Sequence, residues 1–240
     1  MTQFPRVIII TGTGTNVGKT HVAQAMIAEL STTHVVAGVK PVETGVGTIP
    51  DDAERDGNAD ETILSSDADR IRRACAFHVK QLRPTYCLPS PVSPHLAARR
   101  MGITIDLNYI CRVIDDIRAN SEVTIVELAG GLFTPLSDEC SNADLIRKIP
   151  NARTILVAPD RLGVLHDIAA TTMAAEYSRT QIHGIVLNAP ESDDASTNTN
   201  CAEIPLITSI PIIATLPRAS YADLATQRYF TNALHHLLSA

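Results

Sequence analysis

The segment TGTGTNVGKT at residues 11–20 limits the fold of this chain more than any other feature. The β-branched run Arg6–Thr11 leads into it and predicts a buried strand, whereas Lys19–Leu30 continues from it with apolar residues at helical spacing. A glycine-rich turn between a strand and a helix points backbone N–H groups inward, next to the positive end of the helix. The segment therefore predicts a loop that binds phosphate.

The loop is a variant of the pattern G-x-x-x-x-G-K-[ST], because Thr13 stands at the first glycine position. In that pattern the lysine reaches the β- and γ-phosphates of a nucleotide, and the hydroxyl that follows it binds Mg²⁺. We therefore expect Lys19 to contact the phosphates and Thr20 to bind the metal.

Apolar runs alternate with amphipathic segments along the rest of the chain. The further predicted strands are Val35–Lys40, Val123–Glu127, Thr154–Ala158, Ile182–Leu187 and Ile210–Ala214. The further predicted helices are Leu107–Ala119, Ala143–Lys148, Gly163–Tyr177, Thr199–Thr208 and Tyr221–Leu238. This alternation predicts an α/β fold with a doubly wound, mostly parallel sheet flanked by helices on both faces, built as a single domain over residues 1–240. The first two strands are expected to be neighbours in a βαβ unit.

Composition narrows the possible partners and the compartment. The formal net charge is −6, which argues against a nucleic-acid or anionic-membrane partner. No apolar run approaches the length of a membrane span or a signal segment. The five cysteines are widely spaced and form no CxxC pair, as expected for reduced thiols in a cytoplasmic protein.

Two charged residues end predicted strands. Glu127 closes an apolar strand, where a buried carboxylate needs a cation or hydrogen-bond donors, so it is a candidate second ligand for Mg²⁺. Lys40 closes the second strand and can point into the crevice of the phosphate loop. A preorganised cation at a phosphoryl group that is being transferred is worth about 10²–10³ in rate.

Taken together, these motifs resemble the dethiobiotin synthetase family. The family has TGTDTxVGKT, KPVxSG or KPVxTG, PxSPHxAA, VEGAGGxxxPL and GxxxN; this chain has, in the same order, TGTGTNVGKT, KPVETG, SPVSPHLAA, VELAGGLFTPL and GIVLN. A late family pattern, IPxLG-IP, is echoed loosely by IPIIATLPRA. The motifs run over nearly the whole chain.

The resemblance implies a role for each matching residue. Catalysis would depend on the cations Lys40 and Lys19, and the diamine substrate would contact Thr15 and Thr44. Mg²⁺ would be held by Thr20, Glu127 and Asp60, the acid of GNAD. The residues implied to contact ATP are Asn16, Val17, Gly18, Lys19, Thr20, His21, Asp60, Glu127, Leu128, Ala129, Gly130, Asn188, Pro217, Arg218 and Ala219, with Asn188 reading adenine and 217–219 lining the base.

The resemblance also implies the reaction and the assembly. One amine of 7,8-diaminononanoate captures CO₂ as a carbamate, and the carbamate oxygen attacks the γ-phosphate of ATP. The second amine then closes the cyclic urea and releases phosphate. The cofactors would be ATP, as a substrate, and Mg²⁺. The enzyme would be a cytoplasmic homodimer with no nucleic-acid or membrane partner.

The chain departs from the family pattern at four positions. Gly14 replaces an aspartate of the loop, and Leu128 replaces a glycine, which is strained if that position needs a positive φ. His166 and Asp167 stand where the family commonly has Asn-His, which puts the details of substrate binding in question.

Two alternatives share the phosphate loop. A related amidoligase typically carries a glutamine-amidotransferase domain, for which 240 residues leave no room. A partition-type ATPase switch carries a second lysine inside the loop, and GTNVGKT has none.

Overall fold

The computed structural model describes residues 6–46, 66–75, 84–230, 233–234 and 237–238. The strands are β1 (Arg6–Gly12), β2 (Val36–Val39), β3 (Val42–Thr44), β4 (Tyr86–Leu88), β5 (Val123–Glu127), β6 (Arg153–Pro159), β7 (Gly184–Asn188) and β8 (Ile212–Leu216). The helices are α1 (Lys19–Leu30), α2 (Asp67–Ala74), α3 (Pro94–Arg100), α4 (Leu107–Arg118), α5 (Asn142–Lys148), α6 (Val164–Tyr177), α7 (Asn200–Glu203) and α8 (Tyr221–Leu224), with a 3₁₀ helix over Ile204–Leu206.

Six of these strands form one parallel sheet in the order β2-β5-β1-β6-β7-β8. Its central strands are apolar along their length because helices cover both faces; Ile8, Ile9 and Ile10 of β1, for example, are fully buried. The α/β prediction is confirmed. Parallel strands bring their carboxyl ends to one edge, where the residues that follow β1, β2 and β5 meet.

The neighbour predicted for β1 is wrong. β1 and β2 are not paired, because β5 lies between them and hydrogen-bonds to both. β5 is buried at all five positions, so a place inside the sheet covers its two faces and both edges. This order puts Glu127, at the end of β5, between the phosphate loop after β1 and Lys40 after β2.

The last predicted helix is interrupted. Tyr221–Leu224 is helical, the chain turns at 225–230, and the described residues 233–234 and 237–238 are helical again, so one continuous helix from Tyr221 is wrong. The Glu29 carboxylate accepts the backbone N–H groups of Tyr229 and Phe230 at 2.8 and 3.0 Å, which holds the turn against α1. The helix expected over Thr199–Thr208 is likewise only α7 and one 3₁₀ turn.

A small second sheet pairs β3 with β4 in parallel, from Val42↔Tyr86 to Thr44↔Leu88. It continues directly from Lys40 and places Glu43 and Thr44 over the same edge of the main sheet. Within the described ranges, no helix is long and apolar enough to cross a bilayer.

Candidate active site

The phosphate loop is held in shape by two left-handed residues and by one lysine contact. Gly18 has a φ of 91° at the start of α1, and Asn16 has a φ of 59°. The Lys19 ammonium turns back across the loop and donates to the carbonyl oxygen of Gly14 at 2.8 Å. Lys19 is buried, and its side chain already lies across the loop that we expect to bind the phosphates.

Lys40 lies in the same crevice, immediately after β2. Its ammonium donates to Asp67 Oδ2 at 2.5 Å and to Glu127 Oε1 at 2.8 Å, and the residue is only 7% exposed. Burial would lower the pKa of Lys40, but the two carboxylates outweigh it and raise that pKa above its usual value. Lys40 therefore carries its positive charge at neutral pH.

Burial has the opposite net result for Lys19. Desolvation lowers the pKa of Lys19 to about 8; the Glu127 charge opposes that change and the Lys40 charge adds to it. Two ammonium groups in one crevice disfavour each other's charge, so the site gains electrostatically when an anion enters.

The two carboxylate oxygens of Glu127 differ in their partners. Oε1 accepts from Thr20 Oγ1 at 3.0 Å as well as from Lys40, whereas Oε2 is buried and accepts no hydrogen bond from any residue that the structure describes. An orphaned buried carboxylate oxygen beside a hydroxyl is a fitting place for a hard cation.

The structure places Asp67 beside Lys40, an acid that was not predicted from the sequence. Asp67, the first residue of α2, pairs with Lys40, and that ammonium holds the pKa of Asp67 below its usual value although burial opposes the shift. Asp60, the acid expected from GNAD, lies outside the described residues. A sequence signal was available in SSDAD, because Ser66 caps α2 by accepting the Asp69 N–H at 3.1 Å.

Glu43 fixes the start of α2 from the neighbouring strand. Its carboxylate accepts the backbone N–H of Asp67 at 2.7 Å and that of Ala68 at 3.2 Å, and Glu43 is 5% exposed. Two otherwise unpaired N–H groups of the helix terminus are thereby satisfied by a negative charge. Glu43 therefore holds the backbone that carries Asp67.

These groups surround a cavity of about 800 Å³. Its lining includes these residues named from the sequence: Thr15, Asn16, Gly18, Lys19, Thr20, His21, Lys40, Thr44, Glu127, Ala129 and Gly130. Sequence reasoning missed Asp67, Glu43 and Arg70 among the lining residues, and the start of α3 contributes Pro94 together with Ser93, which precedes the helix.

The residues expected at adenine gather on the other side of the loop. The Asn188 amide, at the end of β7, donates to the carbonyl oxygen of Val17 at 3.4 Å, while its own oxygen is buried and has no hydrogen-bond partner within the described part of the chain. His21 Nε2 lies 3.0 Å from the carbonyl oxygen of Pro217. The structure thus brings Asn188, Val17, His21 and Pro217 to one flank; Arg218 donates to the Pro190 carbonyl oxygen at 3.3 Å and Ala219 packs against the core.

The departures at the end of β5 and in the loop are accommodated. Leu128 has no positive φ and is buried in the core, so it fills space without strain. The residue in the left-handed region is Gly130, with a φ of 70°. Among the described residues, a Cβ at Gly14 would have one near neighbour, a Val17 methyl group at 4.0 Å. The loop backbone can therefore pack in the same way whether this position carries glycine or the aspartate of the family pattern.

Comparison with known proteins identifies the family. The model of a family described as "AAA domain" matches residues 6–225. The ATP-dependent dethiobiotin synthetase BioD of Aromatoleum aromaticum is 31% identical over 222 residues, which cover 91% of this chain and 93% of that protein. The BioD of Anaeromyxobacter sp. strain Fw109-5 is 34% identical over 229 residues, covering 94% and 95%. The chain belongs to the dethiobiotin synthetase family.

Comparison with solved structures shows that this member of the dethiobiotin synthetase family shares its fold with other proteins. The hydrogenase maturation factor HypB of Archaeoglobus fulgidus matches with a TM-score of 0.55 at 14% identity, covering 99% of this chain and 92% of its own. A ParA family ATPase from Chlorobium tepidum matches with a TM-score of 0.53 at 14% identity, covering 99% and 89%. At such identities the likeness concerns architecture alone.

Proposed function

We propose that this member of the dethiobiotin synthetase family converts 7,8-diaminononanoate, CO₂ and ATP into dethiobiotin, ADP and phosphate, the activity named for its relatives. The observation that supports this most is the buried Lys40 ammonium, which shares one crevice with Lys19 and Glu127. A nucleotide switch needs the loop lysine, whereas a second buried cation suits the stabilisation of charge on a phosphoryl group during its transfer to a bound acceptor.

The loop and three oxygen-bearing side chains would hold Mg·ATP. Lys19 and the N–H groups of the loop would bind the β- and γ-phosphates, while Thr20, Glu127 and Asp67 would hold Mg²⁺. The role predicted for Asp60 as a further metal ligand stays a prediction. Bound Mg²⁺ would supply positive charge that offsets the phosphate oxygens. On the far flank, Asn188 would read adenine with its unpaired amide oxygen, which can accept from the exocyclic amine.

The chemistry requires no protein nucleophile. The carbamate of the diamine, positioned by Thr15 and Thr44 at the cavity wall, attacks the γ-phosphorus, and ADP leaves. Lys40 has three N–H donors, of which two go to carboxylates among the described residues, so the third is left for a γ-phosphate or carbamate oxygen. The neighbouring amine then attacks the carbamate carbon, phosphate leaves, and the urea ring closes.

A homodimer fits the surface of α6. Met173 and Tyr177 lie four residues apart on this helix and are 70% and 94% exposed, and Leu162 just before it is 74% exposed. Large apolar side chains at helical spacing favour a self-complementary contact. Light scattering during size-exclusion chromatography should give twice the chain mass, and Met173→Glu should reduce it to one; a wild-type chain of single mass would refute this part of the proposal.

The activity is tested by coupling phosphate release to product detection. The pure protein is incubated with ATP, Mg²⁺ and bicarbonate, with and without 7,8-diaminononanoate. The solution conditions resemble those of the cytoplasm, where we expect the protein to act. We expect phosphate and dethiobiotin to appear together and only with the diamine. Diamine-independent ATP turnover that DNA or lipid stimulates would instead support a partition-type switch.

A further inference from the structure

A second cavity, of about 760 Å³, lies at the opposite end of the sheet from the active site. It opens where β1 and β6 begin and where the loop before β7 runs. Five arginines line it: Arg6, Arg118, Arg147, Arg153 and Arg179. No Asp or Glu is among the described residues that line it, although acidic residues outnumber Lys and Arg by 26 to 20 in the whole chain. The local charge is therefore opposite in sign to that of the protein.

The fold converges these arginines from several elements. Arg6 and Arg153 are the first residues of β1 and β6, and the register Ile8↔Arg153 puts both on the same face of the sheet. Arg118 and Arg147 stand in the last turns of α4 and α5, and Arg179 follows α6 with a φ of 56°. The cluster is thus a product of tertiary structure, and neither local sequence nor periodicity reveals it.

Two of the five arginines already form ion pairs that stabilise the ends of their own helices. Arg118 pairs with Asp115 at 3.1 Å, and Arg147 pairs with Asp144 at 2.5 Å while donating to the Ser178 carbonyl oxygen at 3.0 Å. Cations at helix carboxyl ends stabilise the helix dipole, so both need no further explanation.

The other three arginines have no such role. No acidic side chain of the described residues lies within ion-pair distance of Arg6, Arg153 or Arg179. Two of them begin strands, so the helix dipole does not account for them. Guanidinium groups that share one cavity repel each other, and an oxyanion that bridges them removes the repulsion and gains paired hydrogen bonds.

A histidine adds a neutral donor at the same place. His183 lines the cavity, and its Nδ1 accepts the backbone N–H of Thr154 at 3.0 Å. Burial lowers the pKa of His183, and the charge of Arg153 lowers it further, which keeps the ring neutral with its proton on Nε2. The ring therefore offers one N–H next to the arginines.

We propose that this cavity, hereafter the arginine cavity, is a second, non-catalytic site for a small, multiply charged oxyanion of the phosphate class. Arg6, Arg153 and Arg179 are its primary ligands. No Phe, Tyr or Trp is among the described residues that line the cavity, so none of these residues stacks on a nucleobase, and pyrophosphate or inorganic phosphate fits it better than a nucleoside does.

The test must separate this site from the phosphate loop, which also binds phosphates. Pyrophosphate binding is measured by calorimetry without Mg²⁺ in Lys19→Ala, which weakens the loop, and in Lys19→Ala that also carries Arg153→Gln. We expect Lys19→Ala to retain one binding event and the double variant to bind at least about tenfold more weakly, as for the loss of a charge-assisted hydrogen bond. Arg112→Gln in the same background is the matched control, because Arg112 is exposed on α4 outside the cavity.

Folding and the source of the anion are checked in the same series. The thermal midpoint of Lys19→Ala should rise with pyrophosphate, and that rise should be lost in the Arg153→Gln variant but not in the Arg112→Gln variant. A parallel titration with inorganic phosphate tells whether one phosphoryl group suffices. The proposal is overturned if Lys19→Ala abolishes all pyrophosphate binding, or if Arg153→Gln and Arg112→Gln bind it equally.

Discussion

Replacement of Lys40 by methionine separates the two tasks that the buried ammonium performs. Methionine keeps an unbranched side chain of similar length but removes the charge between Asp67 and Glu127. Glu127 is 1% exposed and already has one unpartnered oxygen, so it would be left as an uncompensated buried anion. Breaking a buried pair in this way costs about 3–5 kcal/mol in the free energy of unfolding.

The second effect of Lys40→Met is on the reaction. Loss of one preorganised cation at the phosphoryl group should lower the rate about 10²–10³-fold, while ATP still binds through the phosphate loop. The stability is measured by urea unfolding without nucleotide, and the rate by diamine-dependent phosphate release at saturating ATP.

Two companion variants make the Lys40 result interpretable. Lys148→Met is the matched control, because Lys148 is exposed and donates a hydrogen bond to the Asn108 side-chain oxygen at 3.0 Å; its unfolding free energy should change by no more than about 0.5 kcal/mol. Adding Glu127→Gln to Lys40→Met should recover part of the lost stability, because a neutral amide needs no cation. A Lys40→Met protein with unchanged stability and full rate refutes both assigned roles.

Three further predictions follow from single contacts. Glu43→Gln weakens the clamp on the α2 terminus that carries Asp67, so the Mg²⁺ concentration for half-maximal rate should rise about tenfold, whereas a purely structural role would lower stability and leave the Mg²⁺ requirement unchanged. Gly18→Ala forces a side chain into a φ of 91°, with its Cβ against the Asn188 amide nitrogen, so calorimetry should give an ATP affinity about ten- to a hundredfold lower; unchanged affinity would contradict this packing. Burial and Arg153 lower the pKa of His183 in the folded protein, so the unfolded chain binds more protons between that pKa and 6.5, and the free energy of unfolding should rise with pH through this window; His183→Gln should show a smaller rise in urea titrations from pH 5 to 8, and identical slopes would contradict it.

The parts of the site that depend on local pattern could be read from the sequence. The loop from Gly12 to Thr20, the carboxylate Glu127 and the cation Lys40 each follow an apolar run, and parallel strands necessarily gather their carboxyl ends at one edge. The fold class could likewise be predicted from the sequence, because the alternation of strands and helices is a local pattern.

The parts that depend on tertiary contacts could not be read in this way. The insertion of β5 between β1 and β2 leaves no mark on either strand, since all three are simply apolar. Asp67 lies beside Lys40 because Glu43 and Ser66 fix the start of its helix, and the contact from Glu43 cannot be read from the local sequence. The helix after Tyr221 stops early because the Glu29 carboxylate, two hundred residues away in sequence, accepts a hydrogen bond from the backbone N–H of Tyr229.

The convergence of Lys19 and Lys40 on one phosphoryl group is tested most directly by a crystal structure with Mg²⁺, a non-hydrolysable ATP analogue and 7,8-diaminononanoate. The measured quantity is the distance from each lysine Nζ to the nearest γ-phosphate oxygen. We predict that both distances are about 3 Å, as for charge-assisted hydrogen bonds. A structure in which Lys40 stays bound only to Asp67 and Glu127, beyond hydrogen-bond reach of both the γ-phosphate and the diamine, would contradict the assignment.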